Sequence, residues 1–143
     1  MGLAEQLKGS NVYIDSAPLI YYFEKKQGFF SQLNELFRSA EKGELTLITS
    51  SITVTEVLTH PIRLRKVRLI KTYESFFEHG TSIKLIDVGL AEAKLAAELR
   101  AVHNLKTPDA IHIATAIESD SKFFLTNDFQ LKKISNLEIV TLK

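Results

Sequence analysis

Five short runs rich in β-branched and aromatic residues punctuate the chain: Val12 to Asp15, Leu45 to Thr49, Ile83 to Val88, Phe123 to Thr126 and Ile139 to Leu142. Between each run and the next stands a stretch with helical periodicity, and that alternation constrains the fold more than any other feature. Strands separated by helices are joined by crossovers, which place neighbours parallel and pack the helices on both faces of the sheet. The expected class is α/β, a three-layer α/β/α sandwich with a mostly parallel five-stranded sheet. A chain of 143 residues has room for one core and not two, so residues 1–143 are expected to form a single domain. There is no internal repeat, low-complexity segment or Gly/Ser/Pro-rich linker to divide it.

Local signals set the helix boundaries. Ser16-Ala17-Pro18 offers an N-cap and a first-turn proline after the first strand. Phe29, Phe30, Leu33, Leu36, Phe37 and Ala40 recur at helical spacing, and Gly43 is placed to stop that helix. Ser50 and Ser51 can cap a helix carrying Val54, Glu56, Val57 and Leu58 as far as Pro61. Leu64, Val67, Leu69, Ile70, Tyr73, Phe76 and Phe77 mark a longer amphipathic helix ending near Gly80. Leu90 to about Val102 reads as another helix, Thr107-Pro108 opens the next, and Phe129 to Ile134 forms a short one.

Composition excludes several functions. The chain has 18 Lys plus Arg against 17 Asp plus Glu, a formal net charge of +1, so any nucleic-acid partner must be bound by a local patch. Zero cysteines exclude disulfides, a thiolate nucleophile and cysteine-held zinc or iron–sulfur clusters, and fit a reducing compartment. The first ten residues show no apolar leader, Gln6 stands where a myristoylation signal needs Ser or Thr, and Ala17 to Phe23 is too short to cross a membrane. A soluble, cytoplasmic protein without a membrane partner is expected. The glycines form neither a Walker loop nor a GxGxxG turn, and no GxSxG elbow is present.

The chemistry lies in four acids. Asp15 ends the first strand, Asp128 lies two residues beyond the fourth, and Glu56 and Asp109 fall in the opening turns of helices that start at that same edge. In open parallel sheets the ligand crevice lies outside the carboxyl ends of the strands, so these segments can converge there. Each acid alone has a structural explanation, as a first-turn acid meeting the helix dipole or as an Asx turn. Four carboxylates at close range would repel one another and raise one another's pKa unless cations neutralise them. Oxygen ligands without a His or Cys cluster suit Mg²⁺ or Mn²⁺ better than zinc.

The words around these acids carry a resemblance. Val-Tyr-Ile-Asp-Ser-Ala-Pro-Leu-Ile-Tyr-Tyr-Phe at 12–23, Ser-Ser-Ile-Thr-Val-Thr-Glu-Val-Leu at 50–58, Thr-Pro-Asp-Ala-Ile-His-Ile-Ala-Thr-Ala at 107–116 and Phe-Leu-Thr-Asn-Asp-Phe at 124–129 are, in order, similar to the motifs of PIN-domain ribonucleases, especially the VapC-type toxins of toxin–antitoxin pairs. The resemblance implies a Mg²⁺- or Mn²⁺-dependent endoribonuclease restrained by a small antitoxin, and a homodimer. It implies Asp15, Glu56, Asp109 and Asp128 as the metal-binding acids, with Ser16, Thr126 and Asn127 as polar neighbours. Asp15 and Asp109 are expected to bind metal directly, and Glu56 and Asp128 through water or by orienting the attacking water. Two other classes compete: a catalytically silent PIN-like scaffold, and a phosphoacceptor receiver domain. The receiver needs a pair of acids after strand one, whereas Asp15 is followed by Ser16.

Arg63, Arg65, Lys66, Arg68 and Lys71 form the densest basic run. It reads either as the solvated face of the helix bearing Leu64, Val67 and Ile70, or as a patch that tracks RNA phosphates. Lys25, Lys26, Lys132 and Lys133 are further candidates of the second kind. His60, His79, His103 and His112 show no HExxH pairing, and His112, three residues after Asp109, is expected to pack or hydrogen-bond. Tyr21, Tyr22 and Phe23 can stack on bases or fill the core.

Overall fold

A computed structural model of the chain describes residues 2–142. Five parallel strands, β1 (Asn11–Ile14), β2 (Thr46–Ser50), β3 (Ile83–Ile86), β4 (Phe123–Thr126) and β5 (Glu138–Thr141), lie in the order β3-β2-β1-β4-β5. The helices are α1 (Leu3–Leu7), α2 (Ser16–Phe23), α3 (Phe30–Glu41), α4 (Ser51–Arg63), α5 (Val67–His79), α6 (Leu90–His103) and α7 (Thr107–Glu118), with a short 3-10 helix over Phe129–Lys133.

Alternation along the strands divides the core in two. Val12, Ile14, Leu47, Phe123, Leu125 and Val140 point to one face and pack with residues of α1 to α5, among them Leu7, Leu19, Leu36, Phe37, Val57 and Tyr73. Tyr13, Ile48 and Phe124 point to the other and meet Ala96 and Leu99 of α6, Ala110, Ile113 and Ala114 of α7, and Leu131. A sheet buried on both faces needs near-continuous apolar strands, and β4, Phe-Phe-Leu-Thr, is buried at all four positions. The three-layer α/β/α sandwich expected from the alternation is the observed fold, and its sheet is parallel throughout.

The punctuation acts largely as read. Gly43 follows the last turn of α3 with φ +77°, and the Gly43 and Glu44 amides donate to the Ala40 and Ser39 carbonyls, closing the helix. Thr107 and Pro108 open α7. Tyr21, Tyr22 and Phe23 pack against the first core cluster, Tyr22 stacking on Phe37 at 3.9 Å between ring centroids.

Two local expectations need correction, and one helix has no sequence signature. The basic run does not lie on one helix: α4 continues through Pro61 to Arg63, Arg65 adopts φ +55° at an elbow, and α5 begins only at Val67. Proline withdraws only its own amide, from the bond to the Val57 carbonyl, and α4 ends two residues later, so the loss is confined to its last turn. As a result Leu64 and Val67 do not form an apolar seam but stand 49% and 58% exposed. Ser50 is the N-cap of α4 yet makes no side-chain capping bond, because its hydroxyl is turned to Tyr13. Helix α1 gives no sequence signal: five residues are too few to nucleate alone, and it stands because Leu7 is fully buried.

Tyr73 is fully buried, and its hydroxyl has no hydrogen-bond partner among the described residues. Tyr73→Phe keeps the ring and removes that group, so it is expected to leave stability unchanged or raise it by up to about 1 kcal/mol. Phe124→Ala, which deletes the ring stacked on Tyr13, is expected to cost about 3–5 kcal/mol. Urea unfolding with an unchanged m value checks both.

Candidate metal centre

The chain builds outward from β1 through β2 to β3, then returns to add β4 and β5 on the other side. Connections therefore leave the carboxyl ends of β1 and β4 in opposite directions, opening a crevice there. Asp15 follows β1 directly and caps α2. Its amide donates to the Leu125 carbonyl at 2.9 Å, its Oδ1 accepts the Ser16 amide at 2.7 Å, and its Oδ2 accepts the Thr126 hydroxyl at 2.7 Å. Thr126 is fully buried at the end of β4, so the carboxylate is fastened to two adjacent strands.

Glu56 comes from the second turn of α4. Its Oε1 accepts the Ser16 hydroxyl and His112 Nε2, each at 2.5 Å. His112, buried on α7, also lies 3.5 Å from Asp15 Oδ1, and its Nδ1 is 2.8 Å from the Tyr13 hydroxyl. Tyr13 in turn lies 2.7 Å from Ser50 Oγ. Asp15, Glu56 and His112 each offer a ligand atom within 4.8 Å of the others.

Asp109 and Asp128 lie outside that tight group and line a neighbouring pocket with Lys106 and Gln130. Asp109 still senses the others: burial, then the charges of Asp15, Asp128 and Glu56, push its carboxyl above the usual range. Asp128 Oδ1 accepts the Gln130 amide at 3.0 Å and caps the 3-10 helix, while its own amide donates to Thr126 Oγ1 at 3.1 Å. Ser16 and Thr126 touch the acids directly. Asn127 instead donates to the Tyr21 hydroxyl at 3.1 Å, bracing α2.

His112 hydrogen-bonds as its sequence context suggests, but its partner makes it part of the site. Tyr13, which sequence pattern places only in a strand, joins the site through that histidine. The three-residue offset from Asp109 is the available sequence signal for His112, and the partner, Glu56, is 56 residues away.

The electrostatics follow from these contacts. Burial raises the Glu56 pKa, but the hydrogen bonds from His112 and Ser16 outweigh it and leave the carboxyl below its usual range. Burial lowers that of His112, but its bond to Glu56 and the charges of Asp15, Glu56 and Asp109 leave it above the ordinary imidazole value. Burial also lifts the Tyr13 phenol, which stays protonated and available for hydrogen bonding.

Hard carboxylate oxygens packed until one resists ionisation fit a divalent cation of the Mg²⁺ or Mn²⁺ kind. Arg63, Arg65, Lys66 and Arg68 are all exposed at the α4–α5 elbow. Arg63 lies about two turns beyond Glu56 on nearly the same face of α4. Lys133 Nζ donates to the His103 carbonyl and Lys26 Nζ sits over the Tyr21 ring, so these two lysines have structural partners.

Two outcomes are expected in chelator. Asp109, with a raised folded pKa, contributes stability that is fully present below its unfolded value and lost as pH rises through the folded one; Asp109→Asn should therefore raise the melting temperature at neutral pH. The His112 contribution is likewise full below about pH 6.5 and lost as pH rises through its raised value, while that of Glu56 is lost as pH falls through its lowered value. A stability maximum on the acid side of neutrality, flattened in His112→Gln, is expected from thermal melts across pH.

The PIN domain family model matches residues 12–137. No curated protein was found to match the sequence. Among solved structures, the chain is similar to VapBC2 from Rickettsia felis bound to a DNA fragment from its promoter, at 20% identity and TM-score 0.75 over 93% of this chain and 99% of that one. A toxin–antitoxin complex from Klebsiella pneumoniae follows at 22% identity and TM-score 0.68, covering 92% and 98%. VapC20 from Mycobacterium tuberculosis, a sarcin–ricin loop cleaving toxin, aligns at 15% identity and TM-score 0.65 over 79% and 86%. At these identities the likeness speaks to fold. Together with the match over most of its length, it leads to one assignment: the chain belongs to the PIN domain family, a family of nuclease type.

Proposed function

We propose that residues 1–143 form a single Mg²⁺- or Mn²⁺-dependent endoribonuclease domain that hydrolyses RNA phosphodiester bonds, the toxin of a toxin–antitoxin pair. The observation that carries this reading is the convergence of Asp15 and Glu56 at the carboxyl edge of the sheet, beside an Asp109 whose ionisation their charges oppose. The sarcin–ricin loop cleaving relative supports RNA as the substrate class, and the toxin–antitoxin complexes support a small antitoxin partner. A homodimer acting in the cytoplasm completes the reading; among the described residues no helix is long and apolar enough to cross a membrane. The receiver-domain alternative falls with the family assignment.

Asp15 and Asp109 would bind the metal directly, with Glu56 and Asp128 reaching it through water or orienting the attacking water. When bound, the metal supplies Lewis-acid activation of water and stabilisation of phosphate charge. Thr126 and Ser16 hold the Asp15 carboxylate in one orientation, so little reorganisation is needed when the substrate arrives. Glu56, kept ionised by Ser16 and His112, orients the attacking water and can accept its proton. Arg63, on the Glu56 face of α4, is placed to meet the substrate backbone, with Arg65, Lys66 and Arg68 beyond it.

A mixed pool of structured RNA should be cut with Mn²⁺ or Mg²⁺ and not with EDTA. Asp15→Asn, purified identically, should lower the rate by about 10²-fold or more. Metal-independent cutting that survives in Asp15→Asn would contradict the site, and an absence of cutting on every RNA offered would favour the silent scaffold. Neutralising Arg63, Arg65, Lys66 and Arg68 should weaken RNA binding and reduce the slope of log affinity against log salt by about 0.7 for each phosphate no longer neutralised.

A further inference from the structure

Glu56 meets both of its donors through a single oxygen. The Ser16 hydroxyl and His112 Nε2 converge on Oε1, and neither bond uses Oε2. The imidazole that makes one of these bonds is itself held. Its Nδ1 faces the Tyr13 hydroxyl, which faces Ser50 Oγ, and both of those residues belong to the neighbouring strands β1 and β2. Tyr13 is fully buried, stacked on Phe124 at 5.3 Å between centroids and set edge-on to His112 at 5.7 Å, so the imidazole has a rigid backstop.

Two assignments of hydrogens satisfy the whole chain, and Nε2 carries a hydrogen to the carboxylate in both. In the neutral ring Nδ1 accepts from Tyr13, which accepts from Ser50; in the imidazolium Nδ1 donates to Tyr13, which donates to Ser50. A ring nitrogen that carries a hydrogen has no lone pair for a cation, so His112 serves the site through Glu56 and not as a ligand. Resting on the reading of Glu56 as part of a metal centre, we propose that His112 is a positioning residue: backed by Tyr13 and Ser50, it clamps Glu56 by Oε1 and leaves Oε2 to face the metal and its water.

The test is calorimetric titration of Mn²⁺ into the full chain and its variants, without RNA. His112→Leu should weaken Mn²⁺ binding by about 10-fold or more, the scale of losing a group that orients a ligand. Tyr13→Phe should weaken it less but in the same direction, and His112→Gln, which can still donate an N–H to Oε1, should recover part of the loss. In a Glu56→Gln background the His112→Leu effect should vanish, because it acts through Glu56. An unchanged affinity in His112→Leu, or an equal loss in both backgrounds, would overturn the inference while leaving the nuclease reading intact. Should His112→Leu fail to fold, Tyr13→Phe carries the test, and an affinity equal to that of the unmodified chain overturns it. If the unmodified chain binds no Mn²⁺, the metal-dependent reading falls, and this inference with it.

Discussion

The hydrogen bond from the Thr126 hydroxyl to Asp15 spans the carboxyl ends of β1 and β4, and the remainder of the site is arranged around it. Parallel strands deliver their ends to one edge, and the change of direction in strand order opens space there. Asp15 is thereby fixed from both sides, through its own amide on Leu125 and through its carboxylate on Ser16 and Thr126. Because β1 and β4 are buried on both faces, that edge has little freedom to yield. The Asx turn of Asp128 rests on the same Thr126 oxygen, so one buried hydroxyl positions two of the four acids.

Charge at this edge is handled in two ways. Glu56 is compensated within the protein, by His112 and Ser16, and remains ionised. Asp109 is compensated only in part: the His112 charge favours its ionised form, but partial burial and the charges of Asp15, Asp128 and Glu56 outweigh it, and its ionisation is opposed. An arrangement that secures one carboxylate while leaving another in net repulsion favours a cation that arrives from outside, and it withholds full stability from the metal-free protein.

Much of this is legible in the sequence because it depends on local pattern. Alternating strand and helix signals require the three-layer sandwich, and Asp15, Glu56 and Asp109 can be placed at one edge from their positions relative to strands and helix starts. What escapes depends on residues far apart in the chain. Helix α1 rests on the burial of Leu7, the elbow after α4 on a left-handed Arg65, and the coupling of His112 to Glu56 and Tyr13 on three elements meeting. A lone histidine in an apolar helix looks the same in sequence whether it faces core or carboxylate. Asp128 illustrates the intermediate case: its offset from β4 is visible in the sequence, whereas its role as the cap of a 3-10 helix is not.

The most direct test of the central claim, that these acids gather a divalent cation at the carboxyl edge of the sheet, is amide NMR of the protein with substoichiometric Mn²⁺. Paramagnetic broadening should centre on the amides of Ser16, Glu56, Ala110 and Thr126 and disappear in Asp15→Asn. Broadening centred elsewhere, or unchanged in that variant, would contradict the account.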